Sequence, residues 1–377
     1  MTRLALSTSR RGALPACLAL MLAACFAPAC ATAEAPAPAR VPAAFIDEYA
    51  AENSFNGTIL VAEAGAVTYH RSFGTANFTF DVPNTNSTRY KAASITKLLT
   101  AVLVLQLAEQ GQINLQAPIA AYLPAYAGEG RDTVTVHQLL NHTSGIDNMD
   151  KVTSLEDALE NGVPPYQAPR SGAQMLDQFA SGPLVTPPGT AFSYNNADYI
   201  ILGQIIEKVS GKPYEDALHE RILKPLNMTN TGLMRQDTIV RDLADTYFYR
   251  GDISRLVPDL PVYAANWYAS GALYSDAADL LKFSNALFDG TLLTEASLDL
   301  LLTPGLDDYG YGAWVYTATP KGETRHILKR PGSIMGAQAQ LYRYVEDGVT
   351  VIILGNTDNV DTDGFVSQIG KRMTGYN

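Results

Sequence analysis

Strand-like runs of β-branched and aromatic residues occur near both ends of the chain, whereas the middle shows short helical patterns broken by proline and glycine. The predicted strands are residues 57–62, 67–72, 311–316, 325–328, 337–344 and 349–354. The predicted helices are residues 43–51, 94–110, 196–209, 214–222 and 364–373. The order of elements is therefore strands, helices, strands and a terminal helix.

This order predicts an α+β fold in which both ends of the chain contribute to one antiparallel sheet flanked by helices, with a mainly helical region inserted between them. We assign the domain to residues 42–377, with the sheet part at about 42–110 and 255–377 and the helical part at about 111–254. A cleft between the two parts is the expected place for a functional site.

The composition is typical of a globular enzyme, since 47% of the 377 residues are apolar and 17% are charged. The formal net charge of −11 argues against a nucleic-acid partner and against binding to anionic lipid through a basic face. The sequence shows no internal repeat and no membrane-spanning run after its N-terminal leader.

Residues 1–33 have the pattern of an export leader, with Arg10-Arg11 before an apolar run at residues 14–29, and an Ala/Pro-rich tether follows at residues 34–41. Two ways of processing the leader fit the residues. Leu22-Ala-Ala-Cys25 matches a bacterial lipoprotein signal, in which Cys25 would be lipidated, whereas Ala31-Thr32-Ala33 matches cleavage before Glu34. The protein is therefore predicted to be exported, either as a membrane-anchored lipoprotein or as a free periplasmic or secreted protein.

No metal or cofactor is predicted. The three cysteines, Cys17, Cys25 and Cys30, all lie in the leader, so the folded part has no thiol for a disulfide or a metal site. His137 and His142 are five residues apart, which does not place them on one helical face. Residues 359–364 imitate the start of a calcium loop, but the twelfth position lacks the required glutamate, and we interpret them as a turn in which Asp363 caps the last helix.

A candidate nucleophile stands at the start of a long apolar helix, where Ser94 and Lys97 are three residues apart and share one helical face. A serine hydroxyl is a weak nucleophile until a neighbouring group takes its proton. A lysine can take it only when burial lowers its pKa, and the apolar residues that follow favour such burial. The alternative is an ordinary helix start, with Ser94 as the N-cap and Lys97 extending to water.

A second pair, Tyr194 and Asn196, lies on a predicted loop before an apolar helix, where a phenol and an amide can point into one cleft. Ser-x-x-Lys followed by Tyr-x-Asn resembles the serine β-lactamase and penicillin-binding-protein superfamily, in particular the branch with class C β-lactamases, D-alanyl-D-alanine carboxypeptidases, D-aminopeptidases and related esterases. Further similar stretches are Phe55-Asn-Gly-Thr-Ile-Leu-Val61, Gly111-Gln-Ile-Asn-Leu115, Leu139-Leu-Asn-His-Thr-Ser-Gly145, Ser270-Gly-Ala-Leu-Tyr-Ser275 and Tyr309-Gly-Tyr-Gly312. The resemblance covers roughly residues 42–377 and implies the β-lactamase/transpeptidase-like fold.

The resemblance also implies roles for these four residues. Ser94 would be the acylated nucleophile and Lys97 its proton partner. Tyr194 would act with Lys97 as the base and pass the proton to the leaving group, and which of the two is the true base stays open. Asn196 would hold either the substrate's amide or the lysine. Without catalysis, Tyr194 would be a buried aromatic residue and Asn196 an N-cap.

The third motif of the family, a Lys-Thr-Gly or His-x-Gly on a strand beside the cleft, is replaced here by Arg330-Pro331-Gly332-Ser333. Gly332 would leave room for a substrate backbone, and the backbone N–H groups of Ser333 and Ser94 would form the oxyanion hole. Arg330 keeps the positive charge and could bind a substrate carboxylate through two hydrogen bonds; the alternative is a structural arginine beside acidic neighbours. Pro331 offers neither a hydroxyl nor an N–H, which argues against β-lactam hydrolysis and, less strongly, against carboxypeptidase activity.

The sequence thus predicts an exported serine hydrolase that cleaves an amide or ester through an acyl-serine intermediate. D-Amino-acid peptides, β-lactams and small esters all remain open as substrates. The alternative is a catalytically silent, penicillin-binding-like module that binds a cell-wall fragment or a protein partner.

Overall fold

A six-stranded antiparallel sheet is the centre of the fold in the computed structural model, which describes residues 41–152 and 154–376. The predicted leader, its Cys25 lipidation site and the tether up to residue 40 lie outside the described residues. Across the sheet, the strands are β10 (Trp314–Ala318), β11 (Arg325–Ile334), β12 (Ala337–Tyr344), β13 (Val349–Gly355), β1 (Gly57–Glu63) and β2 (Ala66–Phe73). Both ends of the chain contribute strands, so the predicted α+β fold with one antiparallel sheet is confirmed.

Helices cover both faces of this sheet. The helices α1 (Ala43–Glu52) and α11 (Thr362–Thr374) lie on one face, and α2 (Ile95–Glu109) and α9 (Ala277–Phe288) lie on the other. Successive residues of β1 point to opposite faces, so that Ile59 packs with α1 and α11 while Leu60 packs into the core that contains α2. Because both faces of β1 are buried, its residues are apolar almost without interruption.

The remaining helices lie mostly in the segment between β2 and β10. They are α3 (Val136–Leu140), α4 (Leu155–Asn161), α5 (Gly172–Phe179), α6 (Asn196–Ser210), α7 (Tyr214–Leu218), α8 (Tyr268–Gly271) and α10 (Glu295–Leu302). The helix predicted at residues 214–222 is α7 followed by one π-helical turn at His219–Leu223. Helix α6 packs against α2, α3, α5, α7 and α8, which brings its first residue close to the start of α2. The boundaries assigned to the sheet part and the helical part stay a prediction.

Within the described ranges, short strands form three smaller sheets. They are β3 (Thr75–Asn77) with β4 (Val82–Pro83), β5 (Tyr90–Ala93) with β9 (Leu273–Ser275) and β6 (Gly232–Leu233), and β7 (Tyr247–Arg250) with β8 (Arg255–Pro258). Strand β5 ends directly before α2 and contacts β11 and β12 of the main sheet. None of the described helices has the length and apolar character needed to cross a bilayer.

Three local predictions differ from the structure. Strand β10 begins at Trp314 because the chain bends at residues 311–313, where Gly312 adopts a φ of 77°. Strand β11 continues to Ile334 and includes Pro331, which is tolerated because β10 pairs with β11 only as far as Lys329. The last helix is capped by Asp361, whose side chain accepts the N–H of Gly364 at 2.9 Å, and the prediction that Asp363 caps it is wrong.

Candidate active site

Ser94 stands at the junction of β5 and α2. The preceding residue, Ala93, adopts a φ of 48°, a left-handed conformation that turns the chain sharply into the helix. Ser94 occupies the N-cap position, but its side chain makes no capping hydrogen bond. Its hydroxyl instead contacts Lys97 and Tyr194, so the interpretation of Ser94 as an ordinary helix cap is wrong.

Lys97 is completely buried, so the alternative in which it extends to water is also wrong. Its Nζ donates to Asn196 Oδ1 at 2.6 Å and to the carbonyl oxygen of Ser270 at 2.8 Å, and it lies 3.2 Å from Ser94 Oγ. Burial, assisted by the positive charge of Arg330, lowers the pKa of Lys97 to about 8 against the opposing effect of Tyr194. With two N–H groups held by carbonyl oxygens, the third tetrahedral position of Nζ faces the serine.

Tyr194 approaches Ser94 from the loop before α6. Its phenol O–H donates to Ser94 Oγ at 2.8 Å, and its oxygen accepts a hydrogen bond from Arg330 Nη2 at 3.0 Å. Burial alone would raise the pKa of Tyr194, but the nearby positive charges of Lys97 and Arg330 outweigh it and lower this pKa. The ring stacks on Trp314 with a centroid distance of 5.9 Å, which fixes its orientation.

Arg330 is only 1% exposed and directs its guanidinium into the protein. It makes four hydrogen bonds there, and the acceptors are Pro331 O (3.0 Å), Tyr309 Oη (2.8 Å), Gly312 O (3.1 Å) and Tyr194 Oη (3.0 Å). Four of its five N–H groups are thereby occupied. The two-point clamp on a substrate carboxylate that the sequence suggested does not fit this geometry. The alternative of acidic partners does not fit either, since the acceptors are phenol and carbonyl oxygens.

Asn196 is the first residue of α6 and is not its cap, because the preceding Asn195 accepts the N–H of Ala197 at 3.0 Å. The two ends of the Asn196 carboxamide are both engaged. Its Oδ1 accepts from Lys97, and its Nδ2 donates to Asp150 Oδ2 at 2.7 Å. Of the two roles that the resemblance implied, the geometry favours holding the lysine.

Strand β11, which carries the third motif, lies close to the backbone at Ala92 and Ser94. A Cβ placed on Gly332 would lie 3.0 Å from the backbone nitrogen of Ser94 and 2.5 Å from the carbonyl oxygen of Ala92. Glycine is therefore required for this close approach. The oxyanion hole formed by the N–H groups of Ser94 and Ser333 stays a prediction.

Two buried groups, His142 and Asp198, form a pair that packs against the Tyr194 ring. The His142 ring centroid lies 4.5 Å from that of Tyr194, and its Nδ1 lies 2.8 Å from Asp198 Oδ2. Burial, with a contribution from Lys97 and Arg330, holds the pKa of His142 well below its usual value, and burial raises the pKa of Asp198. Both shifts favour a neutral pair, which adds no charge beneath the phenol.

Sequence reasoning placed Ser94, Lys97, Tyr194 and Asn196 in one site, and the structure brings these four together. It missed Asp150 and Tyr166, for which no local signal exists. The signal for His142, Ser270 and Tyr309 was present, because each lies in a stretch that resembles the family. Among the residues that the structure describes, no cluster of His, Cys, Asp or Glu could hold a metal ion.

Comparison with known proteins identifies what the chain is similar to. The sequence model of the family described as Beta-lactamase matches residues 43–367. A penicillin-binding protein of Bacillus subtilis (strain 168) is 28% identical over 338 residues, covering 83% of this chain and 70% of that protein. The teichoic acid D-alanine hydrolase of Staphylococcus aureus is 25% identical over 282 residues, covering 71% of this chain and 64% of the relative.

A solved structure gives the same result at the level of the fold. The octameric penicillin-binding protein homologue from Pyrococcus abyssi superposes with a TM-score of 0.73 at 26% identity, and the match covers 89% of this chain and 77% of that one. The fold is thus the β-lactamase/transpeptidase fold.

Proposed function

The chain belongs to the beta-lactamase family, and from that premise we propose that it is a serine hydrolase that cleaves an ester or amide of a D-amino acid through an acyl-enzyme on Ser94. One observation carries the proposal. The hydroxyl of Ser94 lies 3.2 Å from Lys97 and 2.8 Å from Tyr194, and the pKa of each of these two groups is lowered from its usual value. Such a pair can accept the serine proton near neutral pH.

Acylation begins when Ser94 Oγ attacks the substrate's carbonyl carbon and its proton passes to the Lys97–Tyr194 pair. The carbonyl π electrons move onto the oxygen, which accepts hydrogen bonds from the backbone N–H groups of Ser94 and Ser333. When the tetrahedral intermediate collapses, the bond to the leaving group breaks. The departing alcohol or amine takes a proton from Tyr194, whose oxygen lies 2.8 Å from Ser94 Oγ.

Deacylation repeats these steps with water as the nucleophile. A water molecule attacks the acyl carbon while the Lys97–Tyr194 pair takes one of its protons. The bond to Ser94 Oγ then breaks, and the serine recovers the proton from the pair. The acid leaves with the water's oxygen, and the enzyme returns to its starting state.

Two protonation states of the pair fit the geometry equally. In one, Lys97 is a neutral amine and Tyr194 a phenol; in the other, Lys97 is an ammonium and Tyr194 a phenolate. They differ only by the position of one proton, and both place a base within hydrogen-bond distance of Ser94. The pair therefore acts as one base, and its protons are lost in two steps that belong to both groups.

The hydrogen bonds that Arg330 makes within the protein limit which substrates fit the site. A carboxypeptidase must bind the carboxylate at the end of its substrate, and the cation of the third motif is already occupied by protein acceptors. Esters and amides without a free carboxylate at that position fit better. The name of the teichoic acid D-alanine hydrolase, a relative of this chain, supports a D-alanyl ester as the first substrate to test.

Labelling with a fluorophosphonate and a fluorescent penicillin, followed by intact mass measurement, tests the proposal. The wild-type protein should gain one adduct with the fluorophosphonate and hydrolyse D-alanine esters. The Ser94→Ala variant should do neither, whereas Ser87→Ala, a change at an exposed serine, should behave like the wild type. Absence of any adduct and of any Ser94-dependent turnover would overturn the proposal in favour of a silent binding module.

A further inference from the structure

Asp150 brings a negative charge to the edge of the catalytic group. Its Oδ2 accepts from Asn196 Nδ2 at 2.7 Å, and its Oδ1 accepts from the phenol of Tyr166 at 2.6 Å. Tyr166 is in turn held by stacking on Trp267, with a centroid distance of 3.6 Å and nearly parallel rings. The carboxylate is thus fixed in position, and it is separated from Lys97 by one side chain, Asn196.

In the part of the chain that the structure describes, no cation pairs directly with this carboxylate, although its charge acts across Asn196 and raises the pKa of Lys97. Across residues 41–152 and 154–376, no lysine, arginine or histidine nitrogen lies within 4.0 Å of Asp150. The neighbouring Lys151 pairs instead with Asp147 at 2.5 Å. A partly buried carboxylate without a counter-ion is costly, and a cation supplied by a ligand would offset that cost.

A cavity of about 350 Å³ opens beside this carboxylate, and Asp150 and Tyr166 form part of its wall. Six residues of the wall are apolar: Met149, Val152, Val163, Pro164, Pro165 and Phe179. The wall also includes Lys151, whose charge is paired with that of Asp147, another wall residue. A ligand that fits both features has a positive charge next to a hydrophobic group. An amino acid with a free amine and an apolar side chain has this chemistry.

We infer that Asp150 makes the enzyme selective for substrates with a free ammonium group on the carbon next to the scissile carbonyl, and that the cavity takes the apolar side chain of the same residue. The inference rests on the proposed hydrolase function and names its substrate class, which is an amino-acid ester or amide with an unblocked amine. Substrates with an acylated amine are disfavoured for two reasons. Their amide oxygen would face the Asp150 carboxylate, and the Asn196 Nδ2 that could bind it already donates to Asp150 at 2.7 Å and to the Tyr166 phenol oxygen at 3.5 Å.

The test compares three esters of one series, D-phenylalanine methyl ester, its N-acetyl derivative and the corresponding D-phenyllactate ester, in which a hydroxyl replaces the amine. The wild-type kcat/KM should be highest for the free amine. Asp150→Asn should lower the ratio of kcat/KM for the free amine to kcat/KM for the D-phenyllactate ester by about 10- to 100-fold, the usual effect of losing a charged hydrogen bond. An effect that passes through Asn196 and Lys97 acts on all three esters and leaves this ratio unchanged. Asp177→Asn, which removes an exposed carboxylate from α5, serves as the matched control.

Two results would overturn the inference. One is an equal loss by Asp150→Asn on all three esters, which would mean that Asp150 only positions Asn196 and Lys97. The other is hydrolysis of the N-acetyl ester by the wild-type enzyme as fast as hydrolysis of the free-amine ester. This second measurement uses the wild-type protein alone, so it does not depend on whether a variant folds. In both cases Ser94-dependent hydrolysis would persist, so the proposed function would stand. Absence of Ser94-dependent turnover on every ester would instead contradict the proposed function itself.

Discussion

The guanidinium of Arg330 donates a hydrogen bond to the phenol oxygen of Tyr194 at 3.0 Å. Lys97 Nζ lies 4.7 Å from the centroid of the same ring, so two positive charges act on one phenol. Both charges lower the pKa of Tyr194 against the effect of burial. The arginine of the third motif therefore acts on the catalytic tyrosine, and we propose that it positions and activates Tyr194 instead of binding the substrate.

The pH dependence follows from the Lys97–Tyr194 pair. When both groups are protonated the site lacks a base, so activity requires the loss of one proton from the pair. The pKa of Lys97 is about 8, and kcat/KM should therefore rise about tenfold per pH unit up to a midpoint near that value. A D-phenyllactate ester is the substrate to use, because it has no amine that titrates.

The control for this profile is circular dichroism over the same range, which should show an unchanged fold. A kcat/KM that stays flat, or that falls, between about pH 6 and about pH 9 would contradict a base formed by this pair.

Replacing Arg330 should move the rising limb of the pH profile. Arg330→Met removes a charge that lowers the pKa of both Tyr194 and Lys97, so the midpoint should rise by roughly one unit or more. Arg330→Lys keeps the charge but cannot form the four hydrogen bonds, so its midpoint should lie between those of the wild type and Arg330→Met. A raised KM with an unshifted midpoint would instead identify Arg330 as a substrate-binding residue.

Gly332→Ala should abolish most of the activity. The added methyl group would lie 2.5 Å from the Ala92 carbonyl oxygen and 3.0 Å from the Ser94 nitrogen, so β11 must shift away from the nucleophile. Loss of one oxyanion donor lowers kcat by about a hundredfold or more. Gly251→Ala, which adds the same methyl group where no atom lies within 4 Å, is the matched control and should keep wild-type kcat. Equal kcat for the two variants would argue against an oxyanion hole at this position.

The leader gives a prediction that is independent of the site. Of the two ways of processing the leader, we propose lipidation at Cys25 as the one to test first. In cells supplied with radioactive palmitate, the wild-type protein should then carry the label and should leave the membrane fraction only with detergent. Cys25→Ser should lose the label, whereas Cys17→Ser and Cys30→Ser should retain it, because they leave the Leu22-Ala-Ala-Cys25 signal unchanged. A mature N-terminus at Glu34 would show that the leader is cleaved at Ala33 instead.

The fold class could be predicted because strand-like and helical runs are local properties of the sequence. Buried strands such as β1 are apolar along their whole length, and α2 is apolar on nearly all sides, so both are visible without long-range information. The end of β11 was missed since Pro331 interrupts the strand pattern, and only the absence of β10 beyond Lys329 explains why proline is tolerated there.

The sequence by itself determined the nucleophile and its first partner. Ser94 and Lys97 are three residues apart, and a helix places such residues on one face whatever surrounds them. The tertiary structure decided how the rest of the site is connected. Asp150 is 46 residues from Asn196, and Tyr194 is 136 residues from Arg330. Contacts over such separations depend on how α6 packs against α2 and how β11 lies beside β5. For that reason the direction of the Arg330 guanidinium and the unpaired charge of Asp150 could be read only from the folded protein.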